Sequence, residues 1–118
     1  MTFYDKNGGA VAYCDDGESI YLFTGEPVAY IYGNIVYTYN GYQLGWFEKG
    51  WVRDLQGACV FFTENAMGGI LKPLKKMKPL KYLKRLKPLK GIRRIPRIKP
   101  LDKLTWSNLS GEKFFFVF

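Results

Sequence analysis

Apolar residues in the first 69 positions recur in short alternating runs separated by glycine. Val11 and Tyr13 stand three and five positions after Gly8, and a spacing of two places both on one face of a strand. Glycines 8, 25, 41 and 57 are spaced 17, 16 and 16 residues apart, and glycines 17, 33, 50 and 68 lie between them. Because glycine favours tight turns, two turns per period predict two short strands per period.

Four hairpins of about 16 residues cannot each bury an apolar face alone, but a ring of hairpins can. The residue four positions after the first glycine of each repeat is Ala12, Ala29, Gly45 or Phe61. Three of these four residues are small and allow close packing. The sequence therefore predicts a mainly β fold with four β-hairpin repeats in a pseudo-four-fold arrangement over residues 1–69. A plain antiparallel meander or small barrel is the open alternative.

Residues 70–104, called the strap below, carry an apolar residue at every third position. The twelve are Leu71, Leu74, Met77, Leu80, Leu83, Leu86, Leu89, Ile92, Ile95, Ile98, Leu101 and Leu104. A step of three alternates faces in a strand and spirals round an α-helix, and interior prolines exclude helices. Polyproline II has three residues per turn and accommodates proline, so we expect an extended polyproline II-like strap.

A continuous apolar edge needs a protein surface to cover it, so we expect an ordered strap packed on the body or on a partner subunit. The predicted docking core is Leu71, Leu74, Met77, Leu80, Leu83, Leu86, Leu89 and Ile92. At ~3.1 Å per residue the strap would reach about 105 Å, well beyond a body of this size. It must fold back, wrap round or reach a neighbouring copy, so a homo-oligomer formed through the strap is expected. Disorder is the alternative for such a composition.

Charge is divided unevenly along the chain. Residues 1–69 hold three Lys/Arg against eight Asp/Glu, a net −5, whereas residues 71–104 hold fourteen Lys/Arg against one Asp, a net +13. Attraction between the acidic body and the basic strap explains this distribution. The alternative is binding of nucleic acid or another polyanion. That hypothesis uses Lys72, Lys75, Lys78, Lys81, Lys84, Lys87, Lys90 and Arg93.

The last segment, 105–118, has a turn signal at Ser110-Gly111 followed by the apolar run Phe114 to Phe118. Phe114, Phe116 and Phe118 would share one face of a strand, so a C-terminal β-hairpin is predicted. We expect its strand to cover an edge of the body or of a partner.

Candidate chemistry is sparse. The chain has no histidine, the commonest general base, and its two cysteines, Cys14 and Cys59, form no CxxC pair and are expected to be free buried thiols. Asp15 and Asp16 suit a turn better than a metal site. We therefore expect no catalytic, cofactor-binding or metal-binding residues, no cofactor and no enzyme activity. The start of the chain lacks a signal-peptide pattern and no apolar stretch suits a membrane span, so a cytoplasmic protein without membrane contact is expected.

The runs "FYDKNGGAVAY", "LFTGEPVAYI" and "GYQLGWFEKGWVRD", followed by the Lys/Pro tract and a late "WS", resemble the four-fold beta-flower family of small bacterial proteins. The resemblance covers essentially the whole chain and implies four hairpins around a pseudo-four-fold axis. It implies no activity and no functional residues. The expected function is a non-catalytic structural or protein-interaction module that self-associates and in which the β body clasps the strap.

Overall fold

A computed structural model describes all residues from Met1 to Phe118. Eight short antiparallel strands form a closed barrel in which each strand pairs with its neighbours in the chain. The strands are β1 (Thr2–Tyr4), β2 (Ala10–Tyr13), β3 (Ser19–Leu22), β4 (Pro27–Tyr32), β5 (Ile35–Tyr37), β6 (Gln43–Glu48), β7 (Trp51–Arg53) and β8 (Cys59–Phe62). The predicted mainly β class is confirmed.

The barrel interior is built from one cross-strand pair in each hairpin. Phe3 pairs with Ala12, Ile20 with Ala29, Val36 with Gly45 and Val52 with Phe61. All of these except Gly45 belong to one apolar cluster of fifteen buried residues. A large residue beside a small one in three of the four hairpins lets the short strands close around a filled core without a central channel.

The junction between β8 and β1 is the weakest in the barrel. Only Tyr4 and Phe62 are in register there, whereas each of the four hairpins has three residue pairs. The backbone amide of Thr2 donates a hydrogen bond of 3.1 Å to Oε1 of Glu64 beside this junction. We call this β8–β1 junction the seam.

The predicted C-terminal β-hairpin is wrong. The tail contains a 3₁₀-helix at Glu112–Phe116, and its pairing with a barrel strand is limited to one bridge between Trp106 and Cys59. Phe114 and Phe115 are buried against Phe61, with ring centroids 5.7 and 5.5 Å away, whereas Phe116 is 50% exposed. A tight helical turn points adjacent phenylalanines into the core, which a strand could not do. No helix in the structure has the length or apolar character to cross a membrane.

The strap has neither helix nor strand and encircles the barrel. It begins beside Trp51, whose indole Nε1 donates hydrogen bonds to the carbonyl oxygens of Met67 and Gly68. It then passes the β1–β2, β3–β4, β5–β6 and β7–β8 turns in order, because its backbone amides donate to carbonyl oxygens in each of them. The circuit ends where Trp106 forms a parallel bridge with Cys59. Wrapping resolves the length problem, since the molecule measures only 36 × 36 × 22 Å.

The expectation that this chain's own body covers the apolar edge is wrong. The predicted docking core, Leu71, Leu74, Met77, Leu80, Leu83, Leu86, Leu89 and Ile92, is 83–95% exposed. The strap packs on the body through its backbone amides and its cations, so its apolar edge points away. A period of three fixes which residues share an edge but does not fix which edge faces the body.

Candidate interaction surface

The strap contacts the body at four sites spaced nine residues apart along the strap. At each site a strap amide donates to the carbonyl oxygen of a turn glycine. The pairs are Lys76 to Gly8 at 2.8 Å, Arg85 to Gly25 at 2.9 Å, Arg94 to Gly41 at 2.9 Å and Lys103 to Gly57 at 3.0 Å. We number these contact sites 1 to 4. The donors on the strap are nine residues apart, and the acceptor glycines on the body are 17, 16 and 16 residues apart. Each nine-residue step of the strap therefore matches one hairpin of the body.

Aromatic rings on the outside of the barrel lie under the strap cations. The ammonium of Lys75 lies 5.7 Å from the ring centre of Tyr4 at site 1, and that of Lys84 lies 5.2 Å from Tyr21 at site 2. At site 3 the guanidinium of Arg93 is 5.9 Å from Tyr37. These distances suit cation–π attraction, worth about 0.5–2 kcal/mol per contact. Tyrosines on the barrel surface therefore bind the basic edge of the strap.

At contact site 4 the cation lies on the body and not on the strap. Arg53 occupies the body position of the three tyrosines, and Asp102 occupies the strap position of the three cations. Nε of Arg53 lies 3.4 Å from Oδ1 of Asp102, and Nη1 donates to the carbonyl oxygens of Gly57 and Lys103 at 2.7 and 2.8 Å. Arg53 is only 5% exposed, so this pair holds the end of the strap with a buried cation on the body.

Carboxylates in the loops add ion pairs to the aromatic contacts. Asp15 pairs with Lys84 at 3.2 Å and with Lys81 at 3.5 Å, while Glu18 pairs with Lys90 at 3.3 Å. Burial opposes ionisation of Asp15, but the ammonium groups of Lys84 and Lys81 hold its pKa below the usual value. The acidic charge of the body is thus placed where the strap passes.

Every cation in the polyanion hypothesis contacts the body. Beyond the pairs already described, Lys72 donates to the carbonyl oxygen of Ala66 at 2.7 Å, Lys78 pairs with Glu64 at 3.5 Å, and Lys87 donates to Oγ of Ser19 at 3.5 Å. The structure therefore places the eight residues on the side of the strap that faces the body, but spreads them around the barrel. Sequence reasoning could have found this arrangement from the matching recurrence of tyrosines and cations.

The outer side of the strap carries a row of twelve apolar side chains, which we call the apolar belt. All twelve apolar residues of the period are exposed, from 68% at Leu104 to 97% at Ile98. Hydrophobic side chains of this number and exposure are uncommon on a monomeric protein. The belt is the most extensive feature of the surface that no part of the chain covers.

Both cysteines are free and buried. Burial raises the pKa of Cys14 and of Cys59, so both thiols stay protonated near neutral pH. This agrees with the expectation of free buried thiols.

The chain matches the family model described as 4-fold beta flower protein over residues 1–115. It belongs to the 4-fold beta flower family. The match spans the barrel, the strap and most of the tail of this beta flower protein, and it confirms the family resemblance seen in the sequence. No curated protein and no solved structure is similar enough to the chain to count as a match.

Proposed function

We propose that this beta flower protein is a non-catalytic protein-interaction module that self-associates through the apolar belt of its strap. The observation that carries the proposal is the exposure of all twelve apolar strap residues. Burying one such side chain contributes about 2 kcal/mol, so even partial coverage favours association strongly. The polar contacts below the belt hold the strap in place, which lowers the entropy lost when a partner binds.

A polyproline II strap on a pseudo-four-fold body is the finer part of the proposal. Nine residues between contact sites correspond to three turns of a helix with three residues per turn. The backbone amides of Lys76, Arg85 and Arg94 donate hydrogen bonds to the body. Pro79 and Pro88 lie on the same edge of the strap, at positions that donate no hydrogen bond to the body. This agreement between amide use and proline placement supports the conformation.

A second copy of the chain is the partner that the belt fits best. Successive apolar residues are three positions apart, about 9 Å in a polyproline II strap. Two belts with the same spacing can interdigitate, because the side chains of one fill the gaps of the other. A symmetric contact of this kind uses the same surface on both copies, as most homodimers do.

Sedimentation velocity over a range of protein concentrations tests the proposal. We expect wild-type protein to associate and the variant carrying Leu86→Asn and Leu89→Asn to remain monomeric. Both leucines are 95% exposed, so the melting temperature of the monomer should stay unchanged. The matched control is Tyr82→Asn, at an exposed strap position outside the belt.

A wild-type protein that stays monomeric at all concentrations would contradict self-association. Unchanged association of the double variant would place the interface elsewhere. Binding to lipid vesicles or to another protein without self-association would keep an apolar docking belt but replace the second copy as the partner.

Polyanion binding stays a weaker second hypothesis. Its eight cations are engaged with tyrosines, carboxylates or carbonyl oxygens of the body, which reduces the charge free to meet phosphates. A salt series with random RNA tests it, because a binder using six or more cations should lose on the order of 10³-fold in affinity from about 50 to 200 mM salt.

A further inference from the structure

Contact site 3 carries three residues whose types differ from those at the equivalent positions of the other sites. The residue after the turn glycine is Tyr42 here, where the other sites have glycine, glutamate or alanine. The next residue is Gln43, where the others have alanine, proline or cysteine. On the strap, Arg97 stands nine residues after Pro88, which itself stands nine after Pro79. Three exceptions to the pattern thus occur at one contact site.

These three residues meet around one cavity. It has a volume of about 250 Å³ and is lined by Tyr42, Gln43, Arg94, Ile95, Arg97 and Phe118. The backbone amide of Arg97 donates to Oε1 of Gln43 at 2.8 Å, a bond that proline could not make. The ring of Phe118 stacks on Tyr42 with centroids 4.7 Å apart. The cavity therefore combines aromatic and basic groups, with the guanidinium of Arg94 4.2 Å from the ring centre of Tyr42.

The basic side has donors without acceptors. Nη2 of Arg94 donates to the Tyr42 hydroxyl at 2.9 Å, but neither Arg94 nor Arg97 has a carboxylate within ion-pair distance. Gln43 is 6% exposed and its Nε2 has no hydrogen-bond partner. This nitrogen has almost no accessible surface, so the groups open to a ligand are the two guanidinium groups. By contrast, Lys84 and Lys90 at the neighbouring sites are neutralised by Asp15 and Glu18.

We propose that this cavity binds a small anionic molecule that carries a carboxylate or phosphate group beside an aromatic or apolar ring. The guanidinium groups of Arg94 and Arg97 would hold the anionic oxygens, because a planar guanidinium matches the geometry of both groups. Phe118, which stacks on Tyr42, together with Ile95 would contact the ring of the ligand. The site shares Ile95 with the belt but does not depend on self-association.

Calorimetric titration with phenyl phosphate and with benzoate tests the site and separates the two anion types. We expect saturable binding of at least one probe with a Kd of about 1 mM or tighter. Arg97→Gln keeps the backbone amide that bonds to Gln43 but removes the guanidinium, and Arg94→Gln removes the other. Each should weaken binding by on the order of tenfold or more, as expected for the loss of a charge-assisted hydrogen bond.

The matched control is Arg85→Gln, which removes the same charge from the equivalent strap position at contact site 2. It should bind the probe as the wild type does. Equal weakening by Arg85→Gln and Arg97→Gln would show general charge attraction and overturn the site. No saturable binding of either probe by the wild type would overturn it as well.

Discussion

The ion pair between Arg53 and Asp102 at contact site 4 fixes the register of the strap on the body. A strap with equivalent contacts every nine residues could shift by one contact site, since three sites place a cation over a tyrosine. Asp102 is the single carboxylate of the strap, and only Arg53 offers it a cation in the equivalent body position. A shifted strap would leave the buried Arg53 facing another cation. This pair therefore specifies one register among several similar ones.

The substitution Asp102→Lys should lower the free energy of unfolding by about 1–3 kcal/mol. It leaves the buried Arg53 without its carboxylate, a cost that we reduce because the Asp102 side chain is 49% exposed. The double variant Arg53→Tyr and Asp102→Lys recreates the pairing of sites 1 and 2 and should recover part of the loss. Urea unfolding of the wild type, the two single variants and the double variant measures the coupling between the two positions. No recovery in the double variant would contradict the proposed equivalence of the four sites.

At the scale of elements, the glycine recurrence predicted the short strands well, because strand ends and tight turns are local decisions. It could not predict the tail, since the 3₁₀ turn buries Phe114 and Phe115 against Phe61, and this contact depends on the closed barrel and not on the local sequence. The apolar edge of the strap was wrongly predicted to face the body for a related reason. Apolar residues usually face the body, and here the complementary tyrosines and carboxylates attract the cations instead.

The turn glycines give a direct test of strap docking. Gly25 and Gly17 both have positive φ, 94° and 78°, so alanine strains the backbone at both. A Cβ at Gly25 would overlap the carbonyl oxygen of Leu83 on the strap, whereas a Cβ at Gly17 meets open space. Gly25→Ala should therefore release the strap near Arg85, and Gly17→Ala should not. Limited trypsin digestion measures this as faster cleavage of the Lys- and Arg-rich strap in the first variant only.

Equal trypsin resistance in the two glycine variants would show that the strap does not rest on the turns. The comparison is controlled for backbone strain, because each substitution places alanine in the same left-handed region. It therefore isolates the steric contact between turn and strap.

For the whole molecule, the attraction between body and strap depends on ionised carboxylates. Hydrogen bonding from Lys99, with the nearby Arg53, holds the pKa of Asp102 below its usual value. The pKa of Asp15 is also lowered, because its lysine partners outweigh the effect of burial. In the body itself, burial opposes ionisation of Asp16, but backbone amides of Ser19 and Glu18 lower its pKa to about 2. Groups with lowered pKa stabilise the fold above their unfolded pKa, near 4, and lose that contribution as pH falls.

Acid should therefore loosen the strap before the barrel unfolds. Between about pH 4 and pH 2 we expect the strap amides of Arg85 and Arg94 to lose protection while the barrel amides keep theirs. Hydrogen exchange followed by mass spectrometry across this range measures the order of events. Addition of salt at pH 4 should shift the loss to higher pH, because the ion pairs are partly exposed. Simultaneous loss in strap and barrel would contradict a strap held by charge.

The seam between β8 and β1 has a consequence for what the strap protects against. Lys75 and Lys78 bridge the two sides of this narrow junction, over Tyr4 on one strand and to Glu64 just beyond the other. A chain shortened to its first 69 residues would open there, turning a ring into a sheet with two bare margins. Such margins join to those of other molecules, so the shortened chain should form insoluble fibres or aggregates instead of a smaller stable barrel.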